Sequence, residues 1–182
     1  MNDHAELSLR VHRLESIEAI HALKARYAAL ADAKYTAGHE RQPAERMAEV
    51  AWQQALCFTD DAIWYGGEFG GDLQGHAQLH AWFQQSPWRY ATHLYASPML
   101  RVEGDHAEGT WRLWQLALRE DDGQAVFLFG TTRETYRRVE GQGWLIASMA
   151  FDEVQLMAAS SSSHPLVHRL SELGGPTPRS KS

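Results

Sequence analysis

A chain of 182 residues, 44% of them apolar and with seven Trp, six Tyr and six Phe, is one domain with material for a real core. Its 17 Lys and Arg against 23 Asp and Glu give a net charge of -6, which argues against nucleic-acid phosphates and against an anionic membrane face. Cys57 is the lone cysteine, so no intrachain disulfide can form. The first residues mix charges and lack the apolar core of a signal peptide, and no apolar run approaches the ~20 residues of a membrane span. The expectation is a cytoplasmic protein whose partner is a neutral or apolar small molecule.

Residues 1–13 read as an N-terminal extension. From Leu14 to Tyr35, apolar residues Leu14, Ile17, Ile20, Leu23, Tyr27, Leu30 and Ala31 recur at three- and four-residue intervals, the spacing of a helix with one buried stripe. Ser16 is a candidate cap. A polar loop follows, then a second helix from Ala44 to Cys57. Asp60 and Asp61 suit a turn before a short strand from Ala62 to Tyr65. Gly66, Gly67, Gly70, Gly71 and Gly75 suit a flexible loop without the pattern of a phosphate-binding one. His76 to Gln84 reads as a third helix, stopped by Ser86 and Pro87.

Beyond Trp88 the apolar period shortens to two. Long strands are predicted over Thr92–Glu103, Ala107–Arg119, Gln124–Val139 and Gly143–Met157, joined by short acidic glycine-bearing turns suited to antiparallel hairpins. His93, Tyr95 and Ser97 share one face, while Leu100 and Val102 have the opposite parity. A one-residue bulge at Pro98 would put both sets inside. Helices followed by a meander spell α+β, with a sheet curved enough to enclose a ligand. Residues 158–182, rich in Ser, Gly and Pro, read as a low-complexity, flexible tail.

Three side chains carry the chemistry. Tyr27 and Asp32 lie near the end of the first helix, and His93 lies at the head of the first long strand. If the helix crosses the sheet, Asp32 can orient His93 as a general base, and Tyr27 can donate a proton to oxygen. His76 and His80, four residues apart on a helix, lack a third metal ligand and read as solvated, so no metal is assigned. Arg133, Arg137 and Arg138 alternate with Glu134 and Glu140, as in a surface charge ladder. The aromatic load suits a hydrophobic ligand as large as a polycycle, and Trp64, Tyr65, Tyr95 and Trp111 are candidate pocket residues. Trp114, Phe129 and Phe151 complete that set.

The segments RYAALAD, FTDDAIWYGG, QGHAQLHAWF, THLYASPMLRVEGDHAEG and GWLIASMAF, in this order, resemble the SnoaL-like group of the nuclear transport factor 2-like superfamily, over about Leu14 to Met157. The resemblance implies a cone-shaped barrel, a curved, mixed, mostly antiparallel sheet closed by N-terminal helices. It also implies cofactor-independent chemistry of the kind run by scytalone dehydratase, bile-acid dehydratase, dehydrochlorinase and ketosteroid isomerase-like proteins, and a homo-oligomer, trimer or dimer. Tyr27, Asp32 and His93 match the dehydratases' Tyr, Asp and His in order and placement. Several relatives place a second His or Asp on the following strand, where this chain offers Arg112, Gln115, Trp111 and Trp114. The resulting expectation is a lyase of the dehydratase type or an isomerase acting on a hydrophobic cyclic molecule by proton abstraction. The same fold also implies two alternatives, a non-catalytic binding or assembly protein and the small subunit of a ring-hydroxylating dioxygenase.

Overall fold

Glycines at the left-handed positions of the turns, such as Gly104 with φ 59° and Gly123 with φ 67°, let consecutive strands fold back on each other in the second half of the chain. The computed structural model describes residues 2–67 and 71–159; beyond Ala159 the expected tail lies outside the described residues. The elements are α1 (Asn2–Asp32), α2 (Ala44–Ala55), β1 (Phe58–Tyr65), β2 (Asp72–Gln74), α3 (Gly75–Gln84), β3 (Trp88–Glu103), β4 (His106–Arg119), β5 (Ala125–Val139) and β6 (Gly143–Ala158). One mixed sheet has the order β2-β1-β6-β5-β4-β3, with β1 parallel to β6 and every other pair antiparallel. It curls around the helices but keeps two free edges, β2 and β3, so the expected barrel is open rather than closed.

Four boundaries differ from the sequence reading. The presumed extension is the first part of α1, which starts at Asn2, and Ser16 is no cap. Its hydroxyl donates to the His12 carbonyl one turn back and accepts from Arg138 of β5. Asp60 and Asp61 belong to β1, where Arg137 of β5 holds Asp61 across the sheet. Part of the glycine-rich loop forms β2, paired Tyr65 to Asp72. The α1 stripe is also displaced, because Leu14 is 65% exposed while Lys24 is buried beside Ile20, Leu23, Tyr27 and Ala31. A lysine completes the inward face because its partner waits on the sheet, as described below.

The expected bulge is present. Pairing of β3 with β4 shifts register between Ala96 and Met99, and Ser97 adopts φ 49°. The extra residue restores the inward parity, so Tyr95, Leu100 and Val102 all pack on the same core. Gly109 on β4 makes the bend possible, since a Cβ there would lie 2.4 Å from Leu100 Cδ2 and 3.3 Å from the Met99 carbonyl. At the centre of this core Phe58, Ile20, Leu79 and Ile146 are fully out of water. Each such side chain contributes roughly 1.5–3 kcal/mol of burial free energy. The cores of α1, α3 and β1 are thereby fixed against the sheet, and the C-terminal end of α1 comes to rest over β3.

Candidate active site

An aspartate at a helix C-terminus faces the negative end of the helix dipole and needs compensation. Asp32 finds it on β3. Its Oδ1 accepts the backbone N–H of His93 at 2.9 Å and the ring Nδ1–H of His93 at 2.8 Å, and its Oδ2 accepts the Thr92 hydroxyl at 3.0 Å. The carboxylate stays partly wet, with 37% of its side chain exposed, while the imidazole is 14% exposed. Because Nδ1 keeps its proton and donates it to Asp32, the lone pair of the neutral ring sits on Nε2. Burial pushes the His93 pKa down, outweighing the hydrogen bond and charge of Asp32, so the ring is neutral at pH 7.

His93 forms part of the wall of a cavity of about 100 Å³ enclosed by the end of α1, the strands β3 to β5 and the segment after α3. Cavities of this order accept a single six-membered ring. Much of the aromatic content that suggested a large ligand is used in packing rings against one another. Tyr27, for example, meets Phe58, Phe83 and Tyr95 edge-on at 5.7, 6.3 and 5.9 Å between centroids.

Tyr27, Trp64, Tyr95 and Phe151 join His93 in the cavity wall. Burial first, and then hydrogen bonding with Tyr95 among the smaller causes, holds the Tyr27 phenol well above its usual pKa, so it is a neutral donor. The other four aromatic candidates do not line the cavity. Trp114 is 57% exposed and stacks edge-on with Phe129 at 4.9 Å on the outer face of the sheet. Tyr65 is exposed as well. Strand parity is the reason: odd residues of β4 from Ala107 to Ala117 point inward and even ones outward. Trp111 does point inward, but its ring is used deeper in the core.

There Trp111 Nε1–H donates to the Tyr136 hydroxyl at 2.7 Å, and Tyr136 donates to Glu134 Oε2 at 2.5 Å. Glu134 Oε1 accepts from Thr132 at 2.5 Å and from the Lys24 ammonium in a short ion pair. Glu134 is therefore no rung of a surface ladder. It alternates with Arg133 and Arg137, which pair outside with Asp152 and Asp61. Burial lowers the Lys24 pKa despite the carboxylate beside it. The same ammonium lies 3.7 Å from the Tyr95 ring centroid, which steadies one wall of the cavity.

His76 and His80 are half-buried, and each has a ring nitrogen engaged by the chain. His76 Nε2 lies 2.8 Å from the Phe58 carbonyl and His80 Nε2 3.0 Å from the Ala48 carbonyl, which staples α3 to β1 and α2. Among the described residues no three His, Cys, Asp or Glu stand together as metal ligands, and no helix is long and apolar enough to cross a membrane.

Three of the polar cavity residues are given no role by the sequence reading: Lys34, Gln54 and Gln115. Lys34, two residues past Asp32, is buried, with the Phe83 carbonyl 3.5 Å from Nζ, and burial lowers its pKa to about 8. Gln54 on α2 and Gln115 on β4 are buried in the same wall. The signal was present for both, since each is a polar residue at an inward position between apolar neighbours.

The architecture, an α+β fold with a curled mixed sheet over N-terminal helices, is that of nuclear transport factor 2-like proteins. Residues 12–150 match the SnoaL-like domain model, and the chain belongs to that family. Similar solved structures include a hexachlorocyclohexane dehydrochlorinase, LinA type 2, at 18% identity and TM-score 0.66 over 87% of this chain and 99% of that one. A provisionally assigned aromatic ring hydroxylase from Novosphingobium aromaticivorans follows, at 22% identity and TM-score 0.65 over 80% and 94%. A provisionally assigned scytalone dehydratase from the same organism has 14% identity and TM-score 0.64 over 86% and 96%. No curated protein gives a significant sequence match.

Proposed function

We propose that this protein is a cofactor-independent lyase or isomerase that removes a proton from a carbon of a small, single-ring hydrophobic substrate. The observation that carries the reading is His93, neutral, anchored through Nδ1 by Asp32 at 2.8 Å, with its ring in the cavity wall. His93 Nε2 takes the proton. The C–H electron pair forms a new double bond and either moves onto a conjugated carbonyl oxygen or expels a leaving group from the adjacent carbon. Asp32 stabilises the imidazolium, and that proton then returns to another carbon or to the departing hydroxide. A positioned base of this kind contributes about 10² to 10⁴-fold in rate. Tyr27 and Tyr95, both held neutral by burial, supply hydroxyls to a departing oxygen.

A dehydrochlorinase and a provisionally assigned dehydratase stand among the structural neighbours of this chain, which supports elimination as the reaction class. The test is deuterium uptake at the acidic C–H positions of cyclohex-2-enone in D₂O, followed by NMR. Wild type accelerates the exchange and His93→Ala does not. Equal exchange by both proteins defeats the proposal and leaves the cavity as a binding site.

A further inference from the structure

Buried polar atoms without a partner are uncommon, and each calls for a physical reason. Five side-chain atoms are of this kind among the described residues: Gln54 Oε1, Thr59 Oγ1, Trp64 Nε1, Gln115 Nε2 and Trp144 Nε1. Three of the five, on Gln54, Trp64 and Gln115, belong to residues of the one cavity that holds His93. Each of these side chains is more than nine-tenths buried. Two are donors and one is an acceptor, so residues of this wall carry hydrogen-bonding capacity that no described residue uses.

Gln115 has a special position among them. Its Cα is the direct cross-strand partner of His93 in the β3–β4 ladder. Directly opposed residues of an antiparallel pair project from the same face with their Cβ atoms about 5 Å apart. The base and the side chain that carries an unengaged N–H donor are therefore neighbours in the cavity wall. That spacing suits a carbon acid whose acidic C–H and carbonyl oxygen lie on neighbouring atoms.

Resting on the proton-abstraction reading above, we infer that Gln115 is the oxygen-binding donor of this site and that the substrate is a single-ring ketone or enone, its carbonyl oxygen on Gln115 Nε2 and its acidic C–H at His93. When His93 removes that proton, the electron pair moves through the new C=C bond onto the oxygen, and Gln115 donates to the enolate so formed. Trp64 Nε1 is a donor for a second, neighbouring oxygen. Gln54 Oε1 would accept from a ring hydroxyl. A neutral amide suits the position beside His93, because a charged donor there would oppose the imidazolium that the step creates.

The test uses two probes of nearly equal size, cyclohex-2-enone and cyclohexene, titrated into the full chain by NMR. Wild type is expected to bind the enone about tenfold more tightly, the value of roughly one satisfied buried hydrogen bond. Gln115→Leu and Gln115→Met should erase that preference and should melt at the same temperature as wild type or higher, because they remove an unpaired buried donor. A residue with a merely structural role would instead lower the melting temperature. The inference is overturned if wild type binds the two probes equally or not at all, or if both variants keep the preference. His93→Ala separates the two levels of the argument. It should keep the preference for the enone and lose deuterium exchange; exchange that survives in it while Gln115→Leu loses the preference removes the base and leaves the oxygen site.

Discussion

Two carboxylates join α1 to the sheet, and they are built to opposite ends. In the Lys24–Glu134 pair both side chains are out of water, and both carboxylate oxygens are engaged by Lys24, Thr132 and Tyr136. In the Asp32–His93 pair, nearer the helix end, the carboxylate is likewise engaged, but one ring nitrogen of the histidine has no bond to any other described residue and its ring lies in the cavity wall. The first is a closed network that clamps helix to sheet; the second is a partly open one that leaves chemistry available. Completeness of hydrogen bonding, more than the presence of charge, separates a structural clamp from a candidate site.

If that contrast is right, the two regions respond differently to substitution. The largest effect is expected at the clamp. Glu134→Leu leaves the Lys24 ammonium buried without its partner and should cost about 3–5 kcal/mol of stability in urea unfolding. Adding Lys24→Met to it should recover part of that loss, since the unpaired charge is gone. His93→Ala should show the reverse profile: urea stability within about 1 kcal/mol of wild type, but exchange slowed about 10² to 10⁴-fold. A His93 variant that unfolds as readily as Glu134→Leu would erase the distinction.

The pH profile sharpens it further. Burial places the His93 pKa below 6.5, so the acid limb of kcat/KM for exchange should be centred below pH 6.5 and fall about tenfold per unit once the ring is protonated. An ascending limb centred above 6.5 would mean that Asp32, not burial, governs the base.

The smallest effect is expected at Lys34. With a folded pKa of about 8 against 10.5 for the free amine, the unfolded chain holds a proton between those values that the folded chain has released. Stability contributed at this site therefore rises with pH across that window and is lowest below it. Lys34→Met should remove this dependence and add about 1 kcal/mol at neutral pH, measured by thermal melting at several pH values. An unchanged pH dependence would show that the amine is better hydrated than its burial implies.

The amino-acid sequence determined the local features. Periods of 3.6 and 2 marked the helices and the meander, acidic glycine-bearing joints marked the hairpins, and broken parity around Pro98 marked a bulge, because each is set by residues within a few positions of one another. It also marked Tyr27, Asp32 and His93 as groups capable of meeting. Only the tertiary structure decided which inward polar residues are satisfied. Glu134 looked like one rung among arginines until Lys24, 110 residues away, was brought against it. Gln115 looked like a deletion of a catalytic group until the β3–β4 register set it opposite His93. The β4–β5 pairing set Trp114 against Phe129 on the outer face of the sheet, away from the cavity. Burial and partnership are properties of long-range packing, and no single segment encodes them.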